Sequence, residues 1–474
     1  MCKRNQKIQE ICEEALRRVT PSKAEEMKTL KFVESLTDRL RSELGKLGLE
    51  ADVRVEGSIA KNTWLAGEKD IDLFILISKE YGRNAFIKVL EAAKKASGGN
   101  YLEAYAEHPY IQAEIEGFTV DFVPCFKLER AENAISSVDR TPFHTVYVNK
   151  HLSPDDRSEV RLLKRFMRGI EAYGAEIKVG GFSGYLCEIL IMHYGSFLNV
   201  LKAASNWRER EIIDLEGYYK GRENEALKIF DQPLVVIDPV DKSRNVASAV
   251  SKEKLAEFIA ASRLFLENPR IDFFFPLEIE TFPVERAIQT MNSRGTSFVF
   301  LKTEPARAVP DVLWGQLYKS QRALRGLISR WGFKILRDNV WSDEKTTVVF
   351  IFELQSHLLP AVEKHLGPPV AKKQDCKRFL SKHLGSKLLI SGPRIEGNRW
   401  IVERKRRYRD AADLLKEILR DGGRGIGIAN LISEAFSSSL DLWINEDIKD
   451  FYSKNPEFAS FLTKYLIGRP RWLQ

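Results

Sequence analysis

The sequence predicts an α+β protein built from several domains, and three observations support this prediction. The chain has 474 residues, well beyond one average domain, so two to four separate cores are expected. In the first half, runs with the period of a strand are followed by apolar stripes with the period of a helix. After a stretch rich in proline and aromatic residues at 268–283, a second set of strand and helix patterns begins.

The cysteines and the apolar runs indicate a soluble protein of the cytoplasm. The five cysteines are odd in number, scattered and never in a Cys-x-x-Cys pair, which argues against disulfides and structural zinc. The N-terminal stretch has no uncharged apolar core of signal-peptide length, and no apolar run reaches the roughly 20 residues that span a bilayer. We therefore expect neither secretion nor a membrane span.

Two helices are predicted before the first strand. An apolar stripe from Ile8 to Val19 marks the first helix. Ser22, followed three residues later by Glu25, forms a capping-box pattern that opens a second helix reaching about Leu47. We expect both helices to brace the sheet that follows.

Two carboxylates open an apolar strand with the sequence DIDLFILI. Asp70 and Asp72 are two residues apart, so a strand projects both side chains from the same face. From Leu73 to Ile77 the strand is apolar on both faces, which is typical of a central strand that is covered on both sides. Such a strand is a rigid mount for the two acids at its open end.

A third carboxylate, Asp121, lies in a second alternating run. This run follows a hairpin with its turn at Glu116 and Gly117, and we expect Pro124 to end the strand. The two strands are predicted to be neighbours, which brings the three carboxylates together. Carboxylate oxygens are the ligands that hard divalent cations such as Mg²⁺ prefer.

A Gly-Ser turn precedes the first pair of acids. A short strand stops at Gly57 and Ser58, and a helical pattern containing Ile59, Trp64 and Leu65 follows. A strand, a tight turn and a helix N-terminus allow backbone N–H groups and a serine hydroxyl to face a phosphate. Each motif alone is common, but a phosphate-binding turn beside three carboxylates indicates two-metal phosphoryl transfer at a nucleotide α-phosphate.

This combination resembles one enzyme superfamily. A Gly-Ser pair, a short spacer, Asp-Ile-Asp in an apolar strand and then a lone strand Asp is the pattern of the nucleotidyltransferases that include DNA polymerase β. Further segments narrow the resemblance to the archaeal, class I, tRNA CCA-adding enzymes. In chain order these segments are GSIAKNTWLAG, YAEHPY, VDFVPCFKL, VDRTPFH, EVRLLKRFMR, YGAE, GFSGYLCE and DPVDKSRNVA.

The resemblance implies roles for ten residues. The magnesium ligands would be Asp70, Asp72 and Asp121, and Asp121 would also assist deprotonation of the RNA 3′-hydroxyl. Many relatives carry arginine at the position of Lys61 and glutamate at that of Asp70, and lysine lacks the bidentate fork of arginine. Arg244 would read the base edge. The complete set implied to contact the incoming nucleotide is Gly57, Ser58, Lys61, His144, Lys164, Tyr173 and Arg244.

The resemblance also implies an activity and an architecture. The activity is addition of C, C and A to the 3′ end of tRNA from CTP and ATP without a nucleic-acid template. Enzymes of this family are often homodimers, so a homodimer is expected. The implied domains are a nucleotidyltransferase head at 1–152, a helical neck at 153–237, a body at 238–283 and 392–474, and an α+β, tRNA-binding tail at 284–391.

The positive charge is concentrated in one segment. The net charge is +8, and residues 372–409 hold 13 Lys and Arg against three acids, so the rest of the chain sums to −2. Phe379, Trp400 and Tyr408 are interleaved with these charges, as on surfaces that track phosphates. The segment is therefore predicted to bind tRNA, although a solvated face has a similar composition.

Helical patterns dominate residues 153–230. Ser153 and Pro154 begin one helix, and FSGYLCEILIMHYGSFLNVLKAA is expected to form a single, mostly buried helix. Beyond residue 284 the pattern predicts a strand, a helix, two strands, a helix and a strand, followed by helices. The glycine-rich stretch at 422–430 is interpreted as a turn between helices.

Two other functions fit parts of the same pattern. A poly(A) polymerase or an oligoadenylate synthetase would share every catalytic residue and would differ in nucleotide choice. A non-catalytic RNA-binding protein on a degenerate nucleotidyltransferase fold would usually lack one of the acids, and this chain has all three.

Overall fold

A computed structural model describes residues 2–105, 109–134, 136 and 138–473. Residues 106–108, which belong to the YAEHPY segment, lie outside the described residues. The chain forms two compact units, described separately below. Unit 1 contains Met1–Glu278 and Arg469–Gln474, and unit 2 contains Ile279–Gly468. None of the described helices combines the length and the apolar composition that crossing a membrane requires.

Unit 1 contains a five-stranded sheet, a group of helices and a small three-stranded sheet. Its helices are α1 (Cys2–Val19), α2 (Lys23–Lys46), α3 (Gly57–Ala60), α4 (Ala85–Ala96), α5 (Thr141–His151), α6 (Pro154–Gly169), α7 (Gly184–Tyr194), α8 (Phe197–Ala204), α9 (Glu223–Ile229) and α10 (Lys252–Glu267). Its strands are β1 (Ala51–Glu56), β2 (Asp70–Ile77), β3 (Tyr101–Tyr105), β4 (Pro109–Ile115), β5 (Phe118–Phe126), β6 (Glu211–Asp214), β7 (Leu234–Asp238) and β8 (Asp241–Asn245).

The five-stranded sheet has the order β1-β2-β5-β4-β3. β2 and β5 are parallel neighbours inside the sheet, and the other pairs are antiparallel. One face is covered by α2 and α4, which pack against the buried side chains of Ile71, Leu73 and Ile75. Phe74 and Leu76 are buried on the opposite face. The prediction of a central strand covered on both sides is therefore confirmed.

The predicted hairpin is present, but its second strand is longer than expected. Glu116 and Gly117 have positive φ angles of 52° and 79°, as a two-residue turn between antiparallel strands requires. β5 continues past Pro124 to Phe126, so the prediction that Pro124 ends the strand was wrong. β4 pairs with β5 only as far as Phe122, so Pro124 lies where β5 has one neighbour and its missing N–H is tolerated.

The helix predicted after the Gly-Ser turn is a single turn, α3. It does not extend to Trp64 and Leu65, which are buried beyond its end. Asn62 has a positive φ of 51°, a conformation that interrupts a right-handed helix.

The first two helices do not share one partner. The Ser22 side chain accepts a hydrogen bond from Glu25 N (3.2 Å), which confirms the start of α2. The Glu25 carboxylate instead accepts from Gly67 N (2.7 Å). α1 packs with Ile8 and Ile11 in the core formed around α6, not in the core of the sheet. The expectation that both helices brace the sheet was therefore wrong for α1.

The helical part of unit 1 is built around aromatic side chains. A capping box at Ser153 opens α6, as predicted. Phe166 of α6 contacts the rings of Phe197, Phe265 and Phe274 at centroid distances of 5.5 to 5.6 Å. The single helix expected at 182–204 is two helices, α7 and α8. It is interrupted at Gly195, whose φ is 82°.

Unit 2 contains a four-stranded sheet and a three-stranded sheet. Its helices are α11 (Val284–Ser293), α12 (Pro310–Arg330), α13 (Lys373–Leu384), α14 (Ala411–Leu419), α15 (Asn430–Ser439), α16 (Lys449–Lys454) and α17 (Pro456–Ile467). Its strands are β9 (Ser297–Thr303), β10 (Ile335–Ser342), β11 (Val348–Leu354), β12 (Val362–Pro369), β13 (Leu389–Glu396), β14 (Arg399–Lys405) and β15 (Asp441–Ile444).

The four-stranded sheet of unit 2 is buried on both faces. Its order is β10-β11-β9-β15, and one core lies on each side, with Phe350 and Phe352 in one and Phe298 and Phe300 in the other. The predicted strands β9, β10, β11 and β14 and the helices α12 and α13 are present. The strands β12, β13 and β15 were not predicted. The glycine-rich stretch is a short turn between α14 and α15, as expected.

Candidate active site

Three aspartates lie at one end of β2 and β5. Asp72 pairs in register with Asp121 across the parallel strands, and Asp70 pairs with Thr119. Because paired residues project to the same face of a sheet, Asp72 and Asp121 lie side by side, and the prediction that the two strands are neighbours is confirmed. Asp121 Oδ1 accepts a hydrogen bond from Gln112 Nε2 (2.9 Å) on β4.

Crowding and burial perturb the three acids. Burial, followed by the negative charge of Asp121, raises the pKa of Asp72 to about 6. Burial also raises the pKa values of Asp121 and Asp70. Among the described residues, no three His, Cys, Asp or Glu side chains are close enough to hold a metal ion as they stand. The metal-ligand role expected for Asp70, Asp72 and Asp121 therefore stays a prediction.

A fourth acid, Glu56, was missed by the sequence analysis. It is the last residue of β1 and pairs in register with Asp72. Its side chain is buried, and among the described atoms its Oε2 has no hydrogen-bond partner. Burial raises the pKa of Glu56, and the nearby Thr145 hydroxyl lowers it by a smaller amount. The signal available in the sequence was the position of Glu56 directly before the Gly-Ser pair.

Gly57 is required by its contact with Asp72. Its φ is 67°, and a Cβ at this position would overlap Asp72 Oδ2. Because any other residue would carry that Cβ, glycine permits the turn and the acid to approach each other. Ser58 follows in α3, half-buried.

Lys61 and Lys164 meet at a buried glutamate that the sequence analysis gave no role. Lys61 Nζ donates to Glu188 Oε2 (2.9 Å), and both side chains are almost fully buried. Lys164 Nζ donates to Thr63 O (3.1 Å) and to Thr63 Oγ1 (3.0 Å), and lies 3.6 Å from Glu188 Oε1. Two segments far apart in the sequence, 61–63 and the part of α6 that contains Lys164, therefore converge on α7.

Tyr173 lies near the same helix. A Cβ at Gly184 would be 3.0 Å from Tyr173 Oη and 3.3 Å from Lys164 Nζ, so the glycine at the start of α7 brings both side chains close. Arg168 lies over the Tyr173 ring, 4.9 Å from its centroid. Burial raises the pKa of Tyr173, which keeps the phenol protonated.

His144 and Arg244 share one carboxylate, Asp238. Asp238 Oδ2 lies 2.9 Å from His144 Nε2 and accepts from Arg244 NH1 at 2.7 Å. Tyr185 Oη donates to Asp238 Oδ1 (3.1 Å), and its ring stacks on that of His144. Burial lowers the pKa of His144. Burial acts to raise the pKa of Asp238, but the hydrogen bond and charge of His144 and those of Arg244 outweigh it and lower the pKa.

The ten predicted residues therefore form three groups that are linked inside unit 1. Tyr185 connects two of them, because Lys61 Nζ lies 5.2 Å from its ring centroid while its hydroxyl reaches Asp238. The charge of Lys61 also lowers the pKa of Asp72, which relates the lysine to the acids. The arrangement gathers carboxylates, two ammonium groups and a guanidinium at one site, a composition suited to handling a nucleoside triphosphate.

The basic segment of unit 2 differs from the prediction. Phe379 and Tyr408 are buried, so they are core residues and not stacking surfaces for RNA. Arg404 and Arg406 both donate to the carboxylate of Glu363, at 2.7 and 2.9 Å. These arginines therefore have structural partners within unit 2.

Comparisons with known proteins identify the family. Models of a nucleotidyltransferase domain, of the second domain of tRNA nucleotidyltransferase and of the C-terminal domain of CCA-adding enzyme match residues 37–144, 158–275 and 294–440. A CCA-adding enzyme of Pyrobaculum islandicum is 39% identical over 427 residues, which is 89% of this chain and 96% of that protein. The chain belongs to the CCA-adding enzyme family. A CCA-adding enzyme of Methanosarcina acetivorans is 36% identical over 457 residues, 95% of this chain and 97% of that protein.

Membership of the CCA-adding enzyme family confirms the activity expected from the sequence. The chain is a tRNA nucleotidyltransferase that adds C, C and A to the 3′ end of tRNA. The matches extend over most of the chain and favour this activity over the poly(A) polymerase and the non-catalytic alternatives. The α+β multidomain fold with a nucleotidyltransferase head is likewise confirmed.

Two solved structures have a fold similar to part of this chain. Cid1 poly(U) polymerase, solved with Mg and 3′-dATP, has a TM-score of 0.44 and 16% identity, over 56% of this chain and 97% of that one. A cytoplasmic RNA terminal U-transferase has a TM-score of 0.44 and 15% identity, over 57% of this chain and 98% of that one.

Proposed function

We propose that the end of β2 and β5 in unit 1 is the reaction centre for CCA addition. There the 3′-oxygen of tRNA attacks the α-phosphorus of CTP or ATP. A new O3′–P bond forms, the bond from the α-phosphorus to the bridging oxygen breaks, and pyrophosphate leaves. The observation that supports this proposal is the register of Asp72 with Asp121, beside a glycine turn whose backbone approaches Asp72 directly.

Asp70, Asp72 and Asp121 are the proposed ligands of Mg²⁺. Their oxygen ligands suit this hard cation, and the pKa values of Asp72 and Asp121, raised first by burial and then by a neighbouring carboxylate, mark buried acids whose charge a cation would compensate. When bound, Mg²⁺ would supply charge neutralisation at the phosphates and a more acidic 3′-hydroxyl. Asp121 is also the proposed acceptor of the 3′-hydroxyl proton, with Gln112 holding one of its oxygens in place.

Gly57, Ser58, Lys61, Lys164 and Tyr173 are the proposed contacts of the triphosphate. The two ammonium groups supply positive charge in a buried environment, where an ionic hydrogen bond is stronger than in water. The Tyr173 hydroxyl, which remains protonated, is a neutral donor beside Lys164. We propose that these residues hold the phosphates while the α-phosphorus faces the acids.

His144 and Arg244 are the proposed contacts of the nucleotide base or sugar. Arg244 is held by Asp238 through one nitrogen and is about one-third exposed, so other N–H groups remain directed away from the carboxylate. A guanidinium fixed in this way is a rigid donor that can read a base edge.

The remaining parts of the assignment concern tRNA and assembly. We propose the domain division given by the resemblance, with a head at 1–152, a neck at 153–237, a body at 238–283 and 392–474, and a tail at 284–391 that contacts tRNA. The proposed boundary between residues 391 and 392 falls inside β13. A division at the nearest end of that strand would keep β13 whole. We further propose that the enzyme acts in the cytoplasm as a homodimer, which sedimentation equilibrium would test.

Order of nucleotide addition tests the proposed function. With CTP alone, a tRNA ending at the discriminator base should gain two nucleotides and stop, and added ATP should give one more. Arg244→Ala should increase misincorporation of UTP or GTP more than it slows addition, because its donor is absent from the base pocket. Long adenosine tails would contradict the activity, whereas a slow Arg244 variant with normal nucleotide choice would remove Arg244 from the pocket. Products are read at single-nucleotide resolution.

A further inference from the structure

Glu188 is a buried carboxylate in the otherwise apolar helix α7. Its side chain is 1% exposed. Oε2 accepts a hydrogen bond from Lys61 Nζ at 2.9 Å, and Oε1 accepts one from Thr63 Oγ1 at 2.7 Å. Lys164 Nζ lies 3.6 Å from Oε1. One carboxylate therefore stands between two ammonium groups that come from different parts of unit 1.

The charges of this cluster explain why all three groups can be buried. Burial acts to raise the pKa of Glu188, but the charges of Lys61 and Lys164 outweigh it and lower the pKa, so the group stays ionised. Two buried ammonium groups without an anion would repel each other and would each be poorly solvated. Glu188 compensates one of the two positive charges, which leaves a net positive charge at this point.

Both ammonium groups retain hydrogen-bonding capacity. An ammonium has three N–H donors, and among the described residues Lys61 uses one of them on Glu188 while Lys164 uses two on Thr63. Lys61 also lies near the acids, because its charge lowers the pKa of Asp72. Donors therefore remain on both lysines for a phosphate while Glu188 keeps its own hydrogen bonds.

We propose that Glu188 is a positioning residue for the incoming nucleotide, holding Lys61 and Lys164 in place for its triphosphate before the nucleotide arrives. This inference rests on the phosphate contacts proposed above for the two lysines. Long lysine side chains lose rotational freedom when they are fixed, so fixing them in advance favours binding. Glu188 itself contacts neither the nucleotide nor the reacting atoms and acts through the two ammonium groups.

The test uses ligands that differ only in phosphate number. Glu188→Gln keeps the size of the side chain, removes its charge and replaces one of its two accepting oxygens with an N–H₂ donor. Binding of CTP, CDP, CMP and cytidine to the full chain is measured by calorimetry or fluorescence. We expect CTP to bind about 10- to 100-fold more weakly to the variant, the range expected when a hydrogen bond to a charged group is lost. The loss should shrink with each phosphate removed and vanish for cytidine.

Three further variants separate the possible outcomes. Lys61→Met and Lys164→Met should each weaken CTP binding, and if neither does, the proposed phosphate site itself is wrong. If both do, but Glu188→Gln binds CTP normally, more tightly, or with an equal loss for cytidine, only the positioning role is overturned. Glu353→Gln removes another buried, ion-paired acid in unit 2 and should leave the dependence on phosphate number unchanged.

A double variant guards against a simple folding defect. In a Lys164→Met background the repulsion between the ammonium groups is absent, so Glu188→Gln should weaken CTP binding less than it does in the natural chain. An equal fold-change in both backgrounds would contradict coupling through Lys164. Thermal unfolding of each variant shows whether the comparison concerns folded protein. If Glu188→Gln alone does not fold, the double variant is compared with Lys164→Met alone across the four ligands, and a loss that is equal for CTP and cytidine contradicts the positioning role.

Discussion

Asp72 lies between two other carboxylates, Glu56 on β1 and Asp121 on β5. At the scale of single residues this is an unfavourable arrangement, because like charges on adjacent strands repel and burial opposes ionisation. The charge of Lys61 offsets part of the effect, but the pKa of Asp72 is still raised to about 6. The folded chain therefore gives up stability to keep acids together, which is typical of a functional site.

Asp72→Asn should separate activity from stability. We expect the rate of nucleotide addition to fall about a thousandfold, since loss of a metal ligand raises the activation barrier by several kcal/mol. The affinity for tRNA should stay within twofold. The melting temperature of the variant, measured in EDTA at pH 7, should be higher than that of the natural chain. Because the folded pKa of Asp72 is above its ordinary value of 3.8, its contribution to stability is lost as pH increases from about 4 to 6. The variant should lack this loss.

Asp52→Asn is the matched control. Asp52 lies on β1 and pairs with Arg54 near the surface, so its removal should alter neither addition nor the pH dependence of melting. Normal turnover in the Asp72 variant would overturn the metal assignment. A lower melting temperature in EDTA would contradict the electrostatic argument.

The predicted and the missed site residues differ in how local their signals are. Asp70 and Asp72 were found because a two-residue spacing fixes a shared strand face. Glu188 could not be found in this way, because its role depends on Lys61, 127 positions away in the sequence. The role of Asp238 could not be found either, because its partner His144 lies 94 positions away in the sequence. Such pairings are decided by tertiary structure and leave no periodic trace in the sequence.

The end of β14 and the residues that follow it, 405–409, show at the scale of an element how a charged sequence can have two roles. Arg406 is mostly buried, donating to Glu363 Oε2 (2.9 Å) and to the carbonyls of Pro360 and Trp331 (3.3 Å each). Lys405 and Arg409, on either side of it, are exposed, and among the described residues no side-chain partner is recorded for them. The basic run therefore contains an internal brace and a pair of exposed cations.

These two roles predict different effects for two sets of substitutions. Lys405→Ala with Arg409→Ala should weaken tRNA binding and lower the slope of log affinity against log salt by about 0.7 to 0.9 for each lost phosphate contact. Arg406→Ala should instead lower the free energy of unfolding by roughly 1 to 3 kcal/mol, because it removes hydrogen bonds to the part-buried Trp331 carbonyl and Glu363 carboxylate. Fluorescence titration across salt concentrations and urea unfolding measure the two quantities. An unchanged salt slope in the double variant would place the tRNA contacts elsewhere.

Two of the strands that sequence analysis missed, β12 and β13, contain residues that are typical of turns. β12 ends in Gly-Pro-Pro, and β13 contains Gly392 and Pro393. Both are edge strands of their three-stranded sheet, where a proline can be accommodated without loss of a ladder bond. The helix break at Gly195 was missed for the opposite reason, because apolar residues continue on both sides of one glycine. Composition alone does not distinguish these cases.

At the scale of the whole molecule, the chain leaves unit 1 at residue 278 and returns to it at residue 469. Trp472 is buried in the helical core of unit 1, with its ring centroid 5.5 Å from that of Phe273. Arg270 NH2 donates to Trp472 O (3.1 Å), and Arg471 Nε donates to Glu171 Oε1 (2.7 Å). The last few residues therefore complete a core whose other members precede residue 278.

Trp472→Ala should consequently destabilise unit 1, although about two hundred positions of sequence separate Trp472 from Arg270, to which it is hydrogen-bonded. We expect a loss of about 3 to 5 kcal/mol, the usual result of truncating a buried tryptophan. Hydrogen exchange should accelerate in α6 and α10, which line the same core, and remain slow in β9 and β11 of unit 2. Leu473→Ala is the control, since Leu473 is 41% exposed and should cost little. If exchange accelerates equally in both units, the C-terminal segment does not act as a local closure of unit 1, and the two units unfold together.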